Sequence, residues 1–240
     1  MTDVHSHILF DVDDGSSSIE ESIELLKKFK ETGFDNVILT PHYIDGSEYN
    51  CLNKEKIEKF NILKKAIKDN NIDINIYLGN EIFINEDILG LLKKGNITSL
   101  NNTKYLLIEL PFHNRIVNLE DMLFEIMHSG AVPIIAHPER YSYFQDNYDL
   151  VDSLRDSGVL FQGNYISITG YYGKKEEKLL KYMLKNKYID FLGTDIHHIN
   201  KTYVLDNFKK IEKKIIKVTG NDYYNKIMNN CNMLTGSSKK

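Results

Sequence analysis

What most constrains the fold of this chain is an alternation. Seven short apolar runs, at 3–5, 37–40, 74–78, 105–108, 132–135, 159–162 and 189–192, are separated for the most part by stretches of helical periodicity. Runs of this length read as buried strands, and strands alternating with helices predict a parallel sheet, either open or closed into a barrel. The first helix is the clearest. Ile19, Ile23, Leu26 and Phe29 fall on one face, Ser18 with Glu21 fits a capping box, and Gly33 supplies a stop. Further helical patterns run over 53–68, 118–128, 174–187 and 201–218. The chain has 240 residues, enough for one α/β barrel or two small domains. The reading adopted is one domain over 1–235 with a frayed tail over 236–240.

Composition excludes several classes. A formal net charge of -4 gives no basic excess for nucleic acid or an anionic membrane. No apolar run reaches the roughly 20 residues that a membrane helix needs, so no membrane insertion is expected. The opening residues lack the basic and apolar regions of a signal peptide. The two cysteines, Cys51 and Cys231, lie far apart with no CxxC pair, which fits a reducing cytoplasm better than a disulfide framework. Neither cysteine has an Arg six residues on, and no GxSxG, GxxxxGK[ST] or GxGxxG pattern is present.

The metal-competent side chains have a pattern of their own. His5 and His7 end the first expected strand, His42 follows the second, Glu81 the third, Glu109 the fourth and His137 the fifth. Asp195 and His197 follow the seventh, and Asp14 lies in the loop after the first. In a parallel barrel the C-terminal strand ends share one side, so these scattered residues would converge on one rim. A thiolate-free set of His and carboxylate suits Zn, Mn or Fe. It favours hydrolysis over a closed structural zinc site. Paired metals there would activate water and clamp the oxygens of a phosphoryl transfer.

Taken singly, each residue has a bland reading. HxH alone is an even choice between a strand face and a metal site. His42 after Thr40-Pro41 fits a turn, Glu81 and Glu109 fit solvated strand ends, and Asp195 fits a helix cap. Nine suitable residues at successive strand ends argue against that reading for all of them together. The Asp11–Gly15 stretch is not a calcium loop, because aligning Gly15 with that loop's glycine puts Phe10 and Val12 at ligand positions. A plain turn is the preferred reading of Asp11 and Asp13. Arg140, three residues after His137, is placed to grip a phosphate with its planar fork. Lys201 is a weaker candidate for the same task. His113, His128 and His198 have no supporting pattern.

These residues resemble the polymerase-and-histidinol-phosphatase (PHP) superfamily, and within it the bacterial capsule-type, manganese-dependent protein-tyrosine phosphatases. The likeness rests on Asp3-Val4-His5-Ser6-His7-Ile8-Leu9 with Asp11-Val12-Asp13-Asp14-Gly15. Thr40-Pro41-His42, Gly79-Asn80-Glu81, His137-Pro138-Glu139-Arg140 and Thr194-Asp195-Ile196-His197 follow in order. It implies a distorted seven-stranded (β/α)7 TIM-like barrel holding three divalent metal ions, manganese foremost, with iron or zinc acceptable. By that analogy His5, His7, Glu81 and Asp195 hold the first ion. Glu81 is shared with a second, completed by Glu109 and His137, and Asp14, His42 and His197 hold the third. The family often carries a second phosphate-binding Arg after the last motif. This chain instead reads His197-His198-Ile199-Asn200-Lys201, with Lys201 one position short.

The resemblance implies hydrolysis of phosphotyrosine by a metal-bound hydroxide, with Arg140 orienting the phosphate. It also implies a cytoplasmic partner, a bacterial tyrosine autokinase of capsular or exopolysaccharide biosynthesis. Two alternatives stand beside it: a small-molecule phosphomonoesterase of histidinol-phosphatase type, and a non-catalytic binding module on a degenerate barrel.

Overall fold

Each of the seven apolar runs overlaps a strand in the computed structural model, which describes residues 1–236, although the first shares only Asp3 with its strand. From residue 237 the expected tail lies outside the described residues. The strands are β1 (Thr2–Asp3), β2 (Asn36–Leu39), β3 (His42–Tyr43), β4 (Asn75–Leu78), β5 (Glu81–Phe83), β6 (Tyr105–Glu109), β7 (Val132–Ala136), β8 (Leu160–Asn164) and β9 (Ile189–Gly193). All pairings are parallel, in the orders β1-β2-β4 and β3-β5-β6-β7-β8-β9. Together they form a curled parallel sheet.

The two additional segments, β3 and β5, arise from breaks that the sequence reading did not foresee. Pro41 has no N–H to donate, so the ladder of β2 stops there and resumes at His42. Gly79 interrupts the neighbouring strand, where a Cβ would press to 2.9 Å from Leu100 Cδ2. The register after both breaks sets His42 opposite Glu81.

The segment following β1 binds both of its neighbours. Thr40 donates its N–H to Ser6 O at 2.8 Å, His7 donates to Ile196 O at 2.8 Å, and Asp195 donates to His5 O at 2.9 Å. Ser6 and Ile196 form a parallel bridge. Below it, the Asp3 carboxylate accepts the Thr194 N–H at 2.8 Å and the Thr194 hydroxyl at 2.9 Å. The beginning and end of the sheet are thereby tied together.

The helices are α1 (Ile19–Thr32), α2 (Asn53–Asp69), α3 (Ile88–Lys93), α4 (Leu119–His128), α5 (Ser142–Asp146), α6 (Asp149–Asp156), α7 (Lys174–Lys185), α8 (Tyr203–Asp206), α9 (Phe208–Thr219) and α10 (Asn221–Met233). In α1, Ser18 Oγ accepts the Glu21 N–H, and Gly33 at φ 105° closes the helix onto Lys30 O and Phe29 O. Only half of the capping box forms. The Glu21 side chain takes the Ser17 N–H at 2.8 Å and the Ile199 N–H at 3.0 Å. It therefore fastens α1 to the loop after β9. Leu25, Leu26 and Phe29 are fully buried, each stabilising by about 1.5–3 kcal/mol.

The helix expected over 201–218 is broken. Thr202 and Asp206 hydrogen-bond to each other at 2.9 Å, both hold Lys28, and Asn207 leaves helical geometry. No helix among the described residues is long and apolar enough to cross a membrane.

Candidate metal centre

The curled sheet brings all nine candidate residues to one end. His42 and Glu81 begin β3 and β5, Glu109 ends β6, and His137 follows β7. Asp195 and His197 follow β9, while His5, His7 and Asp14 follow β1. Most are buried, whereas the Asp14 side chain is 47% exposed. Two backbone positions are strained: His137 at φ 31° and Asp195 at φ 54° occupy the left-handed region that favours glycine.

Three donor atoms enclose one point, and a fourth flanks it. His5 Nε2 lies 3.2 Å from His7 Nε2, and both lie 3.2 Å from Glu81 Oε2. Asp195 Oδ1 is 3.5 and 3.6 Å from the same two nitrogens. Ligands at about 2.1 Å from an ion stand roughly 3.4 Å apart in a tetrahedral site, so the His5, His7 and Glu81 separations fit a divalent cation between them. Around this set, Glu81 Oε1 is 2.8 Å from His137 Nε2, and Glu109 Oε1 is 3.9 Å from it. His42 Nδ1 is 3.1 Å from Glu81 Oε2 and 3.8 Å from Glu109 Oε2. Asp14 Oδ1 lies 3.6 Å from both His42 Nε2 and His197 Nε2. Every one of the nine belongs to at least one cluster with ligand-like spacing.

The hydrogen bonds behind the imidazoles fix which nitrogen faces inward. His5 Nδ1 donates to Gln162 Oε1 at 2.7 Å, His7 Nδ1 to Asp13 Oδ2 at 2.7 Å, and His197 Nδ1 to the Asp195 carbonyl at 3.0 Å. Each aims Nε2 at the cluster, the arrangement that orients metal-binding histidines. Glu81 Oε2 and His42 Nδ1, both beside the cluster, are buried without a hydrogen-bond partner. Stranding such atoms costs about 1–3 kcal/mol each, and a cation would relieve it.

The electrostatics agree. Burial pushes the His5 imidazole down, but Glu81 and Asp195 outweigh it and raise it to about 9. Burial, then Glu81 and Asp195, push the Glu109 carboxyl up to about 9. Burial also opposes ionisation of Glu81, yet His5 and His42 hold it well below the usual carboxylate range. Burial and His7 push His197 down to about 4. Negative charge is thus concentrated where positive charge is wanted.

A cleft of about 290 Å³ opens beside the cluster, lined by Asp14, Arg140, Tyr171, Asp195, His197 and Lys201 among others. The Arg140 guanidinium donates to Asp195 Oδ2 at 3.1 Å and lies 4.7 Å from the rings of both Phe112 and Tyr172. Lys201 is exposed at the same rim.

Several supporting residues escaped the sequence reading. Asp13, read as a plain turn residue, has a fully buried side chain that orients His7 and also accepts the His42 N–H at 2.8 Å. Gly15 lets that turn close, since a Cβ there would collide with the His7 carbonyl. β8 carries no candidate ligand but supplies two props, Gln162 to His5 and Asn164 to Asp195 at 2.8 Å. The available signal was two polar residues alternating inside a strand meant to be buried.

Known proteins align with the chain over nearly its whole length. CapC of Staphylococcus aureus is 36% identical over 206 residues, covering 85% of this chain and 80% of that one. CpsB of Streptococcus pneumoniae, a tyrosine-protein phosphatase, is 32% identical over 221 residues, covering 89% and 90%. A solved structure from a study of YwqE of Bacillus subtilis and CpsB of Streptococcus pneumoniae, described as metal-dependent tyrosine phosphatases, superimposes with a TM-score of 0.92. It is 28% identical and covers 100% of this chain and 96% of its own. The family of capsular polysaccharide synthesis proteins CpsB/CapC matches residues 1–235, and the chain belongs to it.

Proposed function

We propose that this chain is a metal-dependent protein-tyrosine phosphatase. The observation that carries the reading is the cluster of His5, His7 and Glu81, mutually 3.2 Å apart, with Asp195 3.5 and 3.6 Å from the two imidazoles and Arg140 hydrogen-bonded to the same Asp195. The relatives named as tyrosine-protein phosphatases support the substrate class. Residues 1–235 are read as one PHP domain, a distorted seven-stranded barrel in which β2 with β3, and β4 with β5, each count as one interrupted strand. Three divalent ions are assigned, manganese foremost. His5, His7, Glu81 and Asp195 hold the first, Glu81, Glu109 and His137 the second, and Asp14, His42 and His197 the third. Ions so held lower the pKa of water and neutralise phosphoryl charge.

The chain's own residues do the remainder. Gln162 and Asp13 hold the His5 and His7 rings so that Nε2 faces inward. Asp195 uses one of the five N–H groups of Arg140, and the others are available to phosphoryl oxygens. Phe112 and Tyr172 pack against the guanidinium and limit its movement. Lys201 adds a point charge at the rim. A cytoplasmic location and a tyrosine autokinase of capsule synthesis as the partner complete the reading.

The test compares turnover of a Tyr-phosphorylated peptide with histidinol phosphate, on manganese-reconstituted and chelated protein. The peptide is expected to be preferred and the activity to vanish on chelation. Equal or faster turnover of the small ester would replace this reading with the small-molecule phosphomonoesterase.

A further inference from the structure

Tyr171 and Tyr172 line the cleft, Tyr203 stacks on Tyr171 beyond it, and the metal cluster explains none of the three. Tyr171 is 55% exposed, Tyr203 45% and Tyr172 36%, although large aromatic side chains are normally covered. They come from two separate segments. Tyr171 and Tyr172 lie between Gly170 and Gly173, whose φ values of 76° and 149° permit a tight presentation that other residues resist. Tyr203 opens α8, where Thr202 and Asp206 are held by Lys28.

The rings are ordered against each other. Tyr171 stacks on Tyr203 with centroids 5.9 Å apart at 27°, and meets Tyr172 edge-on at 5.3 Å. Tyr172 in turn lies against Arg140. The cleft therefore has a charged floor of Arg140, Asp195 and His197 and an aromatic wall that begins at the guanidinium and rises to the surface.

We propose that Tyr171, Tyr172 and Tyr203 form the receptor for the phenyl ring of the phosphotyrosine, and that this wall selects aryl over alkyl phosphate esters. The inference rests on the phosphatase reading above. In a phenyl phosphate the ring is joined directly to the ester oxygen, so a phosphoryl group on the floor sends its ring along the wall. Aromatic pairs favour offset or edge-to-face contact, which both exposed faces offer. A phosphoserine reaches only one carbon beyond its ester oxygen and presents no face to the wall.

The experiment uses manganese-loaded native protein and the variants Tyr171→Ala, Tyr203→Ala and Tyr171→Phe. Turnover of matched phosphotyrosine and phosphoserine peptides is measured, with calorimetric binding of phenylphosphonate and methylphosphonate. Each alanine variant is expected to raise KM for the phosphotyrosine peptide roughly tenfold and to weaken phenylphosphonate by the same factor. Methylphosphonate binding should hold, and Tyr171→Phe should restore the native values. Equal weakening of both phosphonates, or an unchanged ratio between them, overturns the aromatic receptor. Native protein without a preference for the phosphotyrosine peptide would instead overturn the phosphatase reading, before any variant is made.

Discussion

Asp13 offers the sharpest test of how the centre is organised, because it touches no candidate ion. Its Oδ2 accepts His7 Nδ1–H at 2.7 Å and the His42 N–H at 2.8 Å, and its Oδ1 accepts the Gly15 N–H at 3.0 Å. Burial opposes its ionisation, but His7 and His42 hold the carboxyl below its usual range, so it is charged at neutral pH. Asp13→Ala strands three donors, two of them backbone. Each costs about 1–3 kcal/mol, and release of the charge-assisted bond frees the His7 ring to turn. Asp13→Asn is subtler. Whichever way the amide sits, its NH2 faces at least one of those donors. Loss of a buried partner that orients a metal-binding histidine typically weakens metal binding 10- to 100-fold, or about 1.4–2.8 kcal/mol. The assay is calorimetric titration of manganese into metal-free protein, paired with thermal unfolding of the same samples. Both variants are expected to lose affinity in that range, with the alanine variant also melting earlier. Manganese binding within twofold of native in both variants would refute the argument that Asp13 fixes the His7 tautomer.

Other outcomes follow from the same geometry. Arg140→Lys keeps the charge but loses the planar fork and the fit between Phe112 and Tyr172. The kcat/KM on a phosphotyrosine peptide should fall roughly 10- to 100-fold, matching about 1.5–3 kcal/mol for a charged hydrogen bond. Manganese at 100 times its Kd should stabilise the fold by about 2.7 kcal/mol, read as a rise in Tm that chelator reverses. Lys56 is fully buried with Asn80 Oδ1 as its partner, and burial lowers its pKa to about 7. Between pH 7 and about 10 the unfolded chain holds a proton there that the fold does not, so stability should rise with pH across that window. Below pH 7 both states are protonated and Lys56 adds no slope. Lys56→Met should flatten the rise in urea unfolding, while Asn80 Oδ1 still accepts the Thr98 N–H at 2.9 Å.

The convergence of the candidate residues was legible because metal chemistry demands particular residue types and the alternation predicts which side of the sheet they reach. The strands were legible because parallel strands buried on both faces read as continuous apolar runs. What the sequence concealed depends on relations between distant segments. The turn at Asp11–Gly15 looks exposed until His7 packs behind it. Gln162 and Asn164 are ordinary polar residues until β8 lies between β7 and β9. The break at Asn207 reflects Lys28 of α1 holding Thr202 and Asp206, which no local propensity records. α10 was missed because its buried stripe is Tyr223, Tyr224, Ile227 and Cys231 among asparagines, a weakly apolar face.

The tie between Asp3 and Thr194 joins positions 191 residues apart, and His5 meets Asp195 only through that closure. On a ribosome working at 5–20 residues per second, the first histidines would wait roughly 10–40 s for their last partners. During that interval the two imidazoles can bind a cation only weakly. On the proposed reading of these residues as ligands, commitment to metal comes late, after β9 has been made, and ion choice reflects what the cell offers to a nearly finished fold. A truncation before Thr194 should then yield a chain that neither closes nor loads, which makes metal content a direct reporter of completed synthesis.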